Sequence, residues 1–173
     1  MNYGWCKTER QFVAWLNKQM RKSFWVKHPA RLALMKQGRK RLPNPKTGRL
    51  VFHHQCAMCN EWKPESEIEV NHKKCAGSMT IDNIAEVFAR MAVVGEDDLE
   101  KLCKGCHEVV TYTERTGMTI EEAKIEKRVI SYINNSNAKK QKSDLEKVGI
   151  RPASTEALRR VQIRDHLRRK LLK

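Results

Sequence analysis

Aromatic residues make up only 6% of the chain, while charged residues make up 32%. In 173 residues that balance leaves little material for one large apolar core. It favours one domain with appendages, or two small domains. No long apolar run occurs and the mean hydropathy is -0.69, which argues against a membrane-spanning helix. The N-terminal stretch lacks the charged, apolar and small-residue regions of a secretory signal, so the expectation is a cytoplasmic protein. Acidic residues are nearly missing from the first fifty positions, where Glu9 stands alone against 13 Lys and Arg.

What is present is segregated. Residues 1–50 carry a net +12. Residues 51–118 hold 7 basic and 12 acidic residues, a net −5, and residues 119–173 hold 15 basic and 7 acidic, a net +8. Basic arms on both sides of an acidic centre divide the chain into three regions at these boundaries. Such arms can serve solubility alone, but their segregation points to polyphosphate, with counterion release on binding. The candidate nucleic-acid contacts are Arg10, Arg21, Lys22, Arg39, Lys40 and Arg41 in the first arm, Lys73 and Lys74 in the centre, and Arg159 and Arg160 in the last.

Six cysteines occur, and four of them form two C-x-x-C pairs, Cys56/Cys59 and Cys103/Cys106. Two knuckles of this kind favour metal ligation over disulfides and provide the four thiolates of a closed, structural zinc site. The gap between the pairs is longer than a small zinc ribbon needs, so something is built inside it. Cys6 and Cys75 read as small buried hydrophobes. His53 and His54, just before the first knuckle, read as surface residues rather than alternative ligands.

Pattern places the elements. Thr8 with Gln11 forms a capping box ahead of a helix running to about Trp25, and Pro29 starts a second helix. Arg41 to Gly48, with two prolines and a glycine, reads as a loop and a boundary. Ile68–Val70 alternates as a short strand ending at Asn71-His72. A helix is predicted within 81–94, and another opens at the second knuckle and stops at Gly117. Thr119 with Glu122 caps a helix to about Ile133. Residues 134–137 and the lysines after them read as a polar linker. A last helix carries Leu158, Val161, Leu167 and Leu171 as its apolar stripe.

Between the knuckles lie Glu69-Val-Asn71-His72 and Asp98-Leu-Glu-Lys-Leu-Cys103, and His107 follows Cys106 directly. One strand-end histidine and one helical histidine, held by a common staple, suit phosphodiester hydrolysis with a single divalent ion. These segments, with Lys73-Lys-Cys75-Ala-Gly77 and with Thr111 and Glu114, resemble the HNH endonucleases of ββα-metal fold, particularly those encoded by tailed bacteriophages. The resemblance covers about residues 50–115. Residues 10–29 are weakly similar to the N-terminal arm of such phage proteins.

The resemblance implies an α+β chain: a small zinc-stapled ββα-metal core with helical basic arms. It implies His72 as general base, Asn71 and His107 as ligands of a catalytic magnesium or manganese ion, and Asp98 at the family's central Asn position. It also implies double-stranded DNA as substrate, phage packaging or replication proteins as partners, and the bacterial cytoplasm as location. Two positions depart from the pattern. Asn71 stands where the family has Asp, which removes a charge from the metal site, and Asp98 stands where it has Asn. Two other readings follow: a zinc-stapled DNA-binding module with weakened catalysis, for which Asn71 speaks, and an RNA-binding zinc protein, against which the two histidines speak.

Overall fold

Thr8 caps the first helix as its spacing predicts: its hydroxyl accepts from Gln11 N–H at 3.3 Å, and the Gln11 side chain accepts from Lys7 N–H at 2.9 Å. In the computed structural model, which describes residues 3–171, this helix, α1, spans Glu9–Gln19 and runs on through a widened turn at Met20–Phe24 and a tight turn at Trp25–Lys27. His28 then turns extended and α2 (Pro29–Lys36) begins on its proline, whose missing N–H costs nothing in a first turn.

Three short strands follow. β1 (Lys40–Pro43), β2 (Leu50–Gln55) and β3 (Trp62–Pro64) form one antiparallel sheet in that order. Of the loop expected over 41–48, residues 44–48 form the turn of a hairpin while 41–43 belong to β1, with Arg41 opposite Phe52 and Pro43 opposite Leu50. Pro43 is tolerated at the end of an edge strand, where no ladder bond needs its nitrogen.

The second sheet is a two-stranded antiparallel pair, β4 (Ile68–His72) with β5 (Leu99–Cys103). α3 (Ile84–Ala92) lies in the connection between them, and α4 (Lys104–Thr116) leaves β5 without an intervening loop.

Two small cores serve residues up to His107. Met20, Met79 and Val87 pack with Val13, Leu16, Ile84 and Met91, while Leu34, Val70 and Leu99 pack with Trp25, Ala30 and Met35. A fully buried residue such as Leu99 stabilises the fold by about 2 kcal/mol. Cys6 is buried as expected, whereas Cys75 is exposed, its sulfur accepting from Gly77 N–H at 3.4 Å. His53 and His54, expected at the surface, are both buried. As neighbours on β2 they face opposite sides of the sheet, where His53 Nδ1 meets Val51 O at 3.1 Å and His54 Nε2 meets Glu65 at 3.2 Å.

Residues from Glu108 onward form a separate compact unit. Gly117, at φ +70°, ends α4 and donates to Thr113 O at 2.8 Å. The Thr119/Glu122 capping box opens α5 (Ile120–Asn134). Of the expected polar linker, residues 135–137 are non-helical, but the lysines after them lie on a helix, α6 (Ala138–Lys147), capped by the Asn137 side chain on Lys140 N–H. α7 (Glu156–Leu171) completes the unit, around a core of Ile125, Val129, Ile133, Leu145 and Ile163.

The face of α7 differs from the expected stripe. Leu158 and Val161 are exposed, while Ile163 and Arg159 are buried and Leu167 is partly so; the Leu171 side chain lies outside the described residues. Among the described residues, no helix is long and apolar enough to cross a membrane.

Candidate metal centre and flanking histidines

The first knuckle is built by a reversal of the chain after β2. Asn60 N–H closes the turn on Cys56 O at 2.9 Å, with Asn60 at φ +58°, and Cys56 N–H bonds Glu61 O at 3.0 Å. Asn is among the residues that tolerate that left-handed backbone at least cost. The second knuckle uses the seam between a strand and a helix: Cys103 ends β5 and Cys106 lies in the first turn of α4. Two bonds join the knuckles, Ala57 N–H to Lys101 O at 2.8 Å and Cys103 N–H to the Cys56 sulfur at 3.3 Å.

The four sulfurs of Cys56, Cys59, Cys103 and Cys106 consequently lie within 4.8 Å of one another. Tetrahedral zinc with sulfur at about 2.3 Å requires sulfurs about 3.8 Å apart, so this donor set fits a structural ion such as zinc. The electrostatics agree. Burial pushes the Cys56 thiol up, but N–H groups of Cys59, Cys103 and Met58 more than offset it and bring it down to about 7. Burial and the neighbouring thiols push Cys106 well up. A cation holding all four as thiolates removes that conflict and releases protons as it binds.

The cluster fixes the β4–β5 pair against α4, and this decides where the histidines go. Side chains alternate across a strand. Glu69 and Asn71 therefore share one face of β4, and Asn71 stands opposite Glu100 of β5. On this face Asn71, largely buried, donates its side-chain Nδ2–H to Glu100 at 3.0 Å, and Glu69 meets His107 Nδ1 at 2.5 Å.

His72 points to the other face, with Val70, Leu99 and Lys101. Its ring stacks on Trp25, centroids 4.3 Å apart and 27° from parallel. The next residue, Lys73, donates its backbone N–H to Asp98 O at 2.9 Å.

Of the sequence-predicted residues, the structure brings Asn71 and His107 to one side of the sheet and His72 to the strand end beside Trp25. The Asp98 carboxylate is used locally, accepting from Gly95 N–H at 2.9 Å. Among the described residues, the four cysteines are the single group of three or more His, Cys, Asp or Glu ligand atoms near enough to share an ion. Glu69 and Glu100 carry no role in the sequence reading: alternation on β4 places Glu69 on the face of Asn71, but Glu100 comes opposite Asn71 only through the β4–β5 register. Trp25 carried no such signal, because its contact with His72 depends on the turn between α1 and α2.

The basic candidates divide. Arg10, Arg21, Lys22, Arg39, Lys40, Arg41, Lys73 and Lys74 are exposed. Arg159 is not available for nucleic acid: it is buried and bonds Gln141, Ala153 O and Ser154 O, because a guanidinium inside the unit must satisfy its donors there. Arg160 is half-buried and 4.0 Å from Glu126.

No family model, curated protein or solved structure matches this chain.

Proposed function

We propose that the chain is a metal-dependent DNA endonuclease of the HNH type, nicking duplex DNA. The observation that carries this reading is the order β4, β5, α4 on a four-cysteine cluster, with His72 at the end of the first strand and His107 in the first turn of the helix.

The side chains support a division of labour. His72 is the base that takes a proton from the attacking water, and Trp25 fixes its ring plane by stacking. Glu69 orients His107 through Nδ1, which leaves the other ring nitrogen to face outward. Glu100 holds the Asn71 amide by its nitrogen, so the carbonyl oxygen is the end left to act as a ligand.

A hard oxygen-and-imidazole donor set of this kind suits magnesium or manganese, and Asn71 and His107 are the residues to hold it. When bound, such an ion neutralises charge developing on the phosphate. Duplex DNA, phage packaging or replication proteins, and the bacterial cytoplasm are the substrate, partners and setting this reading entails.

A second reading is favoured by one observation. Asn71 is neutral and already bonded to Glu100, as expected of a DNA-binding module with weakened catalysis. Incubation of supercoiled plasmid with magnesium or manganese separates the two. Open-circle product that appears only when magnesium or manganese is added supports the nuclease, and tight binding without nicking under either ion supports the module.

A further inference from the structure

The hairpin built around the expected loop concentrates cations. Between Arg39 and Leu50 it carries Arg39, Lys40, Arg41, Lys46 and Arg49 and no acidic residue, and all five cations are exposed. Among the described residues none of the five pairs with a carboxylate. The arginines of α7 differ: Arg164 is bound by Glu126 in two-pronged fashion and Arg168 by Glu122.

Aromatic rings brace the hairpin cations instead. Arg39 and Arg41 lie over Phe52, with 4.0 Å and 5.3 Å from guanidinium carbon to ring centroid, and the Lys40 ammonium lies 4.4 Å from the Trp62 centroid. A guanidinium lying on a ring keeps its N–H donors in its own plane and available, while its rotamers are restrained.

The tip is ordered as well. Asn44 accepts from Thr47 and Gly48 through its carbonyl and from Lys46 through its side chain, and its own N–H bonds Arg49 O at 2.8 Å. Gly48 supplies the left-handed residue, at φ +70°. β3 pairs with residues 53–55 of β2 and not with 50–52, so the outer half of the hairpin is a ribbon of two strands. A two-stranded ribbon fits the B-DNA major groove, about 12 Å wide, whereas the deep, narrow major groove of duplex RNA does not admit it.

We infer that the β1–β2 hairpin is the duplex-DNA grip of this protein: a ribbon that enters the major groove and contacts the flanking phosphates through Arg39, Arg41 and Lys46. This inference rests on the reading of DNA as substrate and specifies how DNA is held.

The test is binding of a labelled 20-base-pair duplex to the full chain without divalent ion, across a salt series. Arg39→Gln, Arg41→Gln and Lys46→Gln together weaken binding by about tenfold or more and lower the salt slope by about 0.9 for each phosphate that no longer meets a cation. Phe52→Leu, which keeps an apolar side chain but removes the ring, weakens binding less and in the same direction. Lys139, Lys140 and Lys142 of α6, changed together to Gln, remove equal charge elsewhere and leave affinity near wild type. Circular dichroism confirms that each variant is folded.

Equal weakening by both triple variants, no weakening by the hairpin triple, or a preference for duplex RNA or single strands overturns the inference. Full affinity in the hairpin triple with nicking intact overturns it while leaving the nuclease reading standing. Hairpin-dependent binding without nicking does the reverse.

Discussion

Asn71 and Glu100 face each other across the β4–β5 pair, and the amide of the first donates to the carboxylate of the second at 3.0 Å. Position 71 carries no charge, but a carboxylate stands one strand away. Replacing Asn71 by Asp sets two carboxylates about 3 Å apart, and like charges at that distance oppose ionisation. Asn71→Asp is expected to be less stable than wild type without added divalent ion and to be stabilised more by magnesium or manganese. Thermal melting with and without each ion checks this. An ion-induced rise no larger than that of wild type contradicts it.

Asp98 has a place in the turn that leads into β5. Its carboxylate accepts Gly95 N–H within the tight turn Glu96–Asp98, and its backbone carbonyl accepts Lys73 N–H. Asp98→Ala removes a cap worth about 1 kcal/mol and leaves divalent-ion affinity unchanged. Chemical denaturation and metal titration of the same variant separate the two effects, and weakened ion binding at unchanged stability contradicts this assignment.

Metal removal acts on one unit. The four-thiol cluster ties β2 to β5 and α4, where the apolar cores are small, whereas residues 120–171 pack around their own core. Stripping the ion with a strong chelator is expected to melt residues up to His107 and to leave the helices α5–α7 formed, in line with binding energy being folding energy at such sites. Amide NMR resonances report this residue by residue. One metal and four protected thiols per chain is the expected stoichiometry.

Glu126 makes the second unit acid-sensitive. It is buried, and the Arg164 guanidinium bound to it holds its carboxyl below the usual carboxylate range against the cost of burial. A carboxylate with a depressed folded pKa contributes stability that is fully present above its unfolded value, about 4.3, and is lost as pH falls through the folded value. Arg164→Met leaves this carboxylate buried without its main partner and costs about 3 kcal/mol at neutral pH. That cost shrinks in acid. A denaturation series spanning carboxylate titration, from about pH 3 to about pH 7, reads both effects.

Much of this was legible in the sequence because it is local. The Thr8 cap, the Thr119 capping box, the Gly117 stop and the C-x-x-C knuckles are set by residues within a few positions of one another and form as their spacing dictates, except that the Gln11 side chain closes on Lys7 N–H instead of Thr8 N–H. The failures are contacts made across the chain. Of the loop expected over Arg41 to Gly48, residues 44–48 do form the turn, but pairing with β2 draws 41–43 into a strand. Arg159 looked like a phosphate contact by its neighbours in sequence, yet its position on α7 turns it inward to Gln141. The candidate site follows the same division. Asn71, His72 and His107 stand out by motif, whereas Trp25, Glu69 and Glu100 join them only once strand register and the turn after α1 are known.

The most direct test of the nuclease proposal is the rate of supercoiled plasmid nicking by wild type and His72→Ala, side by side, in magnesium and in manganese. Removing a general base lowers the rate by about 100-fold or more, while binding to the same plasmid stays near wild type and loss of the Trp25 stack costs no more than about 1.5 kcal/mol of stability. Equal nicking by the two proteins, or no nicking by wild type in either ion, contradicts the proposal.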